Sequence, residues 1–111
     1  FNKHCDRVKM ANLAQMVNVL QSVILTEGPK MIKTPTYHVF HMYRHHQGAT
    51  LLNSTLTGVG ETGIGEWKVP EVTESVSEDA EHIITVTLNN LSADEEKEIE
   101  IVIAGDEHIY L

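Results

Sequence analysis

The chain has 111 residues and a formal net charge of −8, from 8 Lys+Arg against 16 Asp+Glu with 7 His taken as neutral. That length suffices for one domain or for pieces of two, and a hydrophobic share of 41% is globular rather than disordered. No apolar run reaches the ~18 residues of a membrane span; the lone Cys5 forbids an internal disulfide; and the acidic balance opposes nucleic-acid binding, which needs clustered Lys/Arg.

The first half reads as α/β material. Residues 1–50 carry a balance of +4, with bases at Lys3, Arg7, Lys9, Lys30, Lys33 and Arg44 against Asp6 and Glu27. From Asp6 to Gln21, the positions Met10, Leu13, Ala14 and Val17 match the helical template, with Asp6 as N-cap. The stretch is apolar nearly all round, so burial is expected, and periodicity leaves a buried strand over part of it open. Ser22 to Thr26 is short and β-branched and ends at Glu27-Gly28-Pro29, as a buried strand or extended segment would. Thr34-Pro35 pairs a capping hydroxyl with a proline at the first helical position. A helix over Thr36 to Gln47 then places Val39, Phe40 and Tyr43 on one side and stops at Gly48.

The second half reads as all-β, and residues 51–111 carry a balance of −12. Such asymmetry between halves marks a join between differently built pieces. Ala49 to Leu56 is a strand candidate. The glycines at 58, 60, 63 and 65 lack the ending of a phosphate loop, so a flexible surface loop is expected there. His82 to Leu88 alternates, with Ile84, Val86 and Leu88 on one face; Ile99, Ile101 and Ile103 alternate with Glu98, Glu100 and Val102. These two runs read as neighbours in an antiparallel sheet. Ile109-Tyr110-Leu111 is a further strand candidate. No basic segment followed by an apolar run marks a secretory signal. Starting at Phe1 rather than Met, the sequence is expected to be a piece of a longer chain.

Few residues suggest chemistry by type and spacing. His38, His41 and His45 recur at helical spacing, with His46 adjacent, but no HExxH pattern or cysteine accompanies them, so exposed helix histidines are expected and no metal. His4 beside Cys5 is weak evidence for an activated thiolate, because adjacent side chains diverge; a buried or half-buried thiol is expected. Glu95, Glu96, Glu98 and Glu100 read as a solvated sheet face. Asn53-Ser54-Thr55 and Asn90-Leu91-Ser92 fit the glycosylation sequon and carry little weight without a secretory signal. Asn12, Gln15 and Asn18 stand out among Met, Leu, Ala and Val. Buried amides must be hydrogen-bonded, each unsatisfied one costing about 1–3 kcal/mol, so these three either bond neighbouring backbone or line a polar cavity. An amide both donates and accepts, which suits sugar hydroxyls.

The run His4-Cys5-Asp6-Arg7-Val8-Lys9-Met10-Ala11-Asn12-Leu13-Ala14-Gln15-Met16-Val17-Asn18-Val19-Leu20, followed by Thr34-Pro35-Thr36-Tyr37-His38-Val39-Phe40, resembles the C-terminal region of family 51 glycoside hydrolases, the α-L-arabinofuranosidases. Cys5 replaces the commoner small residue. The match is dense over residues 1–50 and only architectural beyond them. The resemblance implies a mixed α/β fragment: residues 1–47 as the last elements of a (β/α)8 catalytic barrel, and 48–111 as an incomplete antiparallel, jelly-roll-like β-sandwich. It places the last barrel strand within residues 8–15, against the helical pattern. It puts Gln15 at the substrate, near the furanose ring, with Asn12 and Asn18 in supporting or structural roles.

The family hydrolyses terminal α-L-arabinofuranosyl groups of arabinan- and arabinoxylan-type substrates with retention. A nucleophile and an acid/base glutamate ~5 Å apart do this through a covalent intermediate. Neither of their motifs occurs in this chain, so no catalytic residue is assigned here, no cofactor is implied, and the isolated chain is expected to be inactive. The implied partners are the rest of the catalytic barrel, an arabinofuranoside oligo- or polysaccharide and further copies in a homo-oligomer, with no nucleic acid and no membrane. A cytoplasmic or periplasmic bacterial location is expected ahead of a membrane one. The alternative is a non-catalytic carbohydrate-binding or oligomerising β-sandwich, for which the second half offers only Trp67 and Tyr110 as sugar platforms.

Overall fold

The computed structural model describes residues 1–103 and the backbone of 107–110. Leu111, the end of the last predicted strand, lies outside the described residues. The chain divides into two compact units, one of residues 1–55 with 74–87 and the other of 56–73 with 88–111.

The first unit opens on a 3-10 turn, Asn2–His4, in which the Cys5 amide bonds the Asn2 carbonyl. No helix follows. Residues 8–15 form neither the patterned helix nor a strand, and Val17 makes only a single parallel bridge to Ile24. A strand is held by a neighbour's backbone groups, and residues 8–15 find no such neighbour among the described residues. A helix apolar on all sides needs cover on all sides, and here Met10 and Leu20 stand 78% and 92% exposed. The backbone also turns left-handed at Asn18 (φ 54°) and Gln21 (φ 61°). The Met16 carbonyl accepts from the Val23 and Ile24 amides at 3.0 and 3.1 Å, so strand-type pairing replaces the helical repeat.

Strands β1 (Ile24–Glu27) and β2 (Lys30–Lys33) form an antiparallel hairpin with Glu27 opposite Lys30. Gly28, at φ 56°, supplies the left-handed first position of the two-residue turn, and Pro29 the fixed negative φ of the second. The predicted break at Glu27-Gly28-Pro29 is therefore a reversal. Within the predicted buried segment, Ser22 is buried but β1 is half-buried to exposed.

Helix α1 (Pro35–Tyr43) begins where Thr34-Pro35 predicts, with the Thr34 hydroxyl accepting from the Tyr37 amide at 3.4 Å. It tightens into a 3-10 turn, Arg44–His46, and Gly48 (φ 76°) turns the chain out. The Thr34 hydroxyl also bonds the Ser22 carbonyl at 2.6 Å, so the same residue that starts the helix ties it to the segment before β1.

Strand β3 (Thr50–Leu51) is the short remnant of the strand predicted over Ala49 to Leu56. It pairs antiparallel with β6 (Val72–Glu78), and β7 (Ile84–Asn90) lies on the other side of β6. The chain passes from β6 to β7 through a turn closed by the Asp79 carboxylate, which accepts from the amides of Glu81 (3.0 Å) and Ile83 (2.9 Å). The last strands, β8 (Glu100–Ile103) and β9 (Glu107–Tyr110), pair antiparallel. The two alternating runs are thus strands but not each other's neighbours: β7 lies beside β6 and β8 beside β9. Shorter loops cost less closure entropy, and the five-residue turn before β7 is shorter than the stretch that follows it. The alternation within 98–103 holds, with Ile99, Ile101 and Ile103 half-buried and Glu98, Glu100 and Val102 exposed.

The glycine-rich stretch is also a hairpin, not a flexible loop. Strands β4 (Glu61–Ile64) and β5 (Trp67–Pro70) pair around a turn at Gly65-Glu66, with Gly65 at φ 59°. Gly63 (φ 135°) is required by contact, because a Cβ there would sit 2.0 Å from the Trp67 carbonyl oxygen.

Among the described residues Val72 is the one buried hydrophobic side chain; Ser22, Ser75 and Ser77 are the other buried residues. Most of the apolar share of this chain therefore stands at its surface, including Met10, Met16, Leu20, Met31, Ile32 and Phe40.

Candidate functional site

A cleft of ≈ 460 Å³ opens in the first unit. One wall is the irregular segment with Ala11, Asn12, Leu13, Ala14 and Met16, and the other is α1 with Tyr37, Phe40 and His41. The wall is mostly hydrocarbon, with Asn12, His41 and Arg44 as its polar members. Gln15 is exposed and sits between Ala14 and Met16 without lining the cleft itself.

All three amides that stood out in the sequence are exposed, not buried. Asn18 has a structural role: its Oδ1 accepts from the Thr26 amide at 2.7 Å and its Nδ2 donates to Thr26 Oγ1 at 3.0 Å. It thereby occupies the open edge of β1, and its left-handed backbone is one that asparagine tolerates better than most residues. Asn12 lines the cleft.

The histidine row divides by function. His38 and His41 lie on exposed helix, with His41 stacked on Tyr37 at 5.9 Å. The Arg44 guanidinium, with smaller contributions from desolvation and neighbouring cations, holds the His41 imidazole below its ordinary value. His46 instead reaches the sheet, with Nδ1 2.7 Å from Ser77 Oγ and Nε2 3.0 Å from Thr87 Oγ1. Burial and the charge of His45 push it down as well. No group of three His, Cys, Asp or Glu among the described residues is placed to hold a metal ion. Cys5, expected buried or half-buried, is exposed; it caps the 3-10 turn with its amide on the Asn2 carbonyl.

Two carboxylates that sequence reasoning passed over are tied down. Glu74 on β6 accepts from Lys3 Nζ and from Ser54 Oγ at 3.0 Å. Burial pushes its carboxyl up, but the hydrogen bonds and charge of Lys3, with Ser54 and the backbone, outweigh that and hold it below its ordinary value. In the second unit, Lys97 bridges Glu71 at 2.9 Å and Glu95 at 2.5 Å. The pairing lowers Glu95 and raises Lys97. Both networks join residues far apart in sequence or in an unpatterned loop, and no local motif announces them.

Comparison with known proteins agrees with the words of the sequence. A family model described as the α-L-arabinofuranosidase C-terminal domain matches residues 1–109. The chain belongs to this family. As an α-L-arabinofuranosidase C-terminal domain it is 48% identical over 101 residues to the intracellular exo-α-L-arabinofuranosidase of Bacteroides ovatus, a match covering 91% of this chain and 20% of the relative. The domain also superposes on the crystal structure of the GH51 arabinofuranosidase from Xanthomonas axonopodis pv. citri. The TM-score is 0.78 at 45% identity, over 86% of this chain and 19% of that one. The chain thus spans about a fifth of the length of the relatives it matches. Its antiparallel sheets agree with a C-terminal β-sandwich domain. No helix among the described residues is long and apolar enough to cross a membrane.

Proposed function

We propose that the chain is the C-terminal part of a retaining α-L-arabinofuranosidase, acting on terminal α-L-arabinofuranosyl residues of arabinan- and arabinoxylan-type substrates. Residues 1–47 are the closing part of a (β/α)8 barrel and residues 48–111 the bulk of a β-sandwich. The observation that carries this reading is the segment around residues 8–16. Residues 8–15 form no regular element, lack a pairing strand among the described residues, and line an apolar cleft opposite α1. A barrel strand separated from both neighbours, followed by its outer helix, has this character. Full burial of side chains such as Met10, Leu13 and Met16 contributes about 1.5–3 kcal/mol each, so the catalytic barrel is the natural cover for this face.

In this reading Gln15 lies at the carboxyl end of the last strand, where barrel active sites are built, and its amide bonds sugar hydroxyls. The glutamate nucleophile and the glutamate acid/base come from the rest of the barrel. The chain itself contributes binding and the sandwich. Gln15→Ala in the longer protein should lower kcat/KM for an aryl α-L-arabinofuranoside roughly tenfold, about the value of one neutral hydrogen bond, with folding intact. Unchanged kcat/KM would remove Gln15 from the site.

A second reading, a carbohydrate-binding or oligomerising sandwich, has one observation in its favour: Trp67 on β5 is 87% exposed. Retardation on arabinan gels that Trp67→Ala abolishes would favour it.

A further inference from the structure

His46 lies between the Ser77 and Thr87 hydroxyls, and one ring tautomer satisfies both of them together with the Ser75 carbonyl. Thr87 Oγ1 has one hydrogen, which it donates to the Ser75 carbonyl at 3.4 Å. Its oxygen is left to accept, so His46 Nε2, at 3.0 Å, carries a hydrogen. In the neutral ring Nδ1 then holds a lone pair and accepts from the Ser77 hydroxyl at 2.7 Å. Ser77 is only 4% exposed. A second ring proton would meet that hydroxyl hydrogen head-on and force it to seek another acceptor in a buried place, where an unmade hydrogen bond is costly.

We propose that His46 is a proton-sensitive clasp: neutral, it fastens the end of α1 to β6 and β7; protonated, it lets them part. Among the described residues the cation gains no ion pair in return. On its own turn the neighbours are Arg44 and His45, and from α1 the Tyr43 ring lies 5.6 Å away. On β6 the Glu78 carboxylate is engaged by His82 at 2.5 Å, and β7 presents the Thr87 hydroxyl. No carboxylate among the described residues is in ion-pair contact with His46. Burial and the charge of His45 act in the same direction, so protons bind more readily when the clasp is open. Stability supplied by the clasp is complete above the unfolded value of 6.5 and is lost as pH falls below it.

Hydrogen exchange on the longer protein tests this, comparing about pH 7.5 with about pH 5.5, the range in which imidazole titrates, after correction for intrinsic rates. Peptides covering residues 44–47 and 75–78 should lose protection several-fold at the lower pH in the native protein. In His46→Gln, which keeps a donor and an acceptor without titrating, that loss should vanish. Equal losses in both proteins, or none in the native one, overturn the proposal. Should His46→Gln fail to fold, Ser77→Ala serves instead. Removing the opposing hydroxyl hydrogen should shrink the acid-dependent loss, and an undiminished loss overturns the proposal.

Discussion

Lys3 and Glu74 form an ion pair that fastens the first turn of the chain to the middle of β6. Beside it, Asn2 Nδ2 donates to Ser75 Oγ at 2.8 Å, so two successive residues of the turn grip two successive residues of the strand. Because Glu74 is held below its ordinary value of 4.5, its contribution is present above that pH and lost as pH falls through the depressed folded value. Lys3→Ala should destabilise the domain by about 1–2 kcal/mol at neutral pH, the worth of a charged hydrogen bond discounted for the half-exposed lysine. It should also flatten the acid limb below pH 4.5, where Glu74 titrates. Denaturant melts at neutral and acid pH check both, and an acid limb as steep as that of the native protein would refute the assignment.

Gly63 and Gly65 predict contrasting outcomes in one hairpin. A methyl group at Gly63 meets the Trp67 carbonyl oxygen at 2.0 Å, whereas one at Gly65 meets nothing within 4 Å. Gly65→Ala should cost only its left-handed backbone, about 1–2 kcal/mol. Gly63→Ala should cost more and open the β4–β5 pairing at Trp67. Trp67 is the only tryptophan of the chain, so its fluorescence reports the difference directly. Equal behaviour of the two variants would contradict the contact.

The isolated chain should self-associate. Met10, Met16, Leu20, Ile32 and Phe40 are all more than half exposed, and apolar patches of this kind are covered in stable proteins. Sedimentation at rising concentration should show growing mass, and a monodisperse monomer at high concentration would count against the proposed docking face.

How legible this was in the sequence depended on whether local chemistry decided the outcome. Thr34-Pro35 announced the start of α1 because capping and the proline φ are local. The alternation of Ile84, Val86 and Leu88 announced β7 for the same reason. Strand β6 was passed over because its buried positions include Ser75 and Ser77, whose partners Asn2 and His46 are distant in sequence. Residues 10–17 carried a helical period with no helix, because the left-handed backbone at Asn18 and its bonds to Thr26 belong to a strand edge. The family words around Gln15 identified the chain where periodicity misled. The Lys3 to Glu74 and Lys97 to Glu71 pairs needed the fold to bring them together.

In the proposed function this domain completes an α-L-arabinofuranosidase whose catalytic glutamates lie elsewhere in the longer chain. Hydrolysis of one aryl α-L-arabinofuranoside, measured side by side for the longer protein and the isolated chain, tests it most directly. Release with net retention is expected from the longer protein and a rate equal to the buffer blank from the isolated chain. Hydrolysis by the isolated chain, or none by the longer protein, would contradict it.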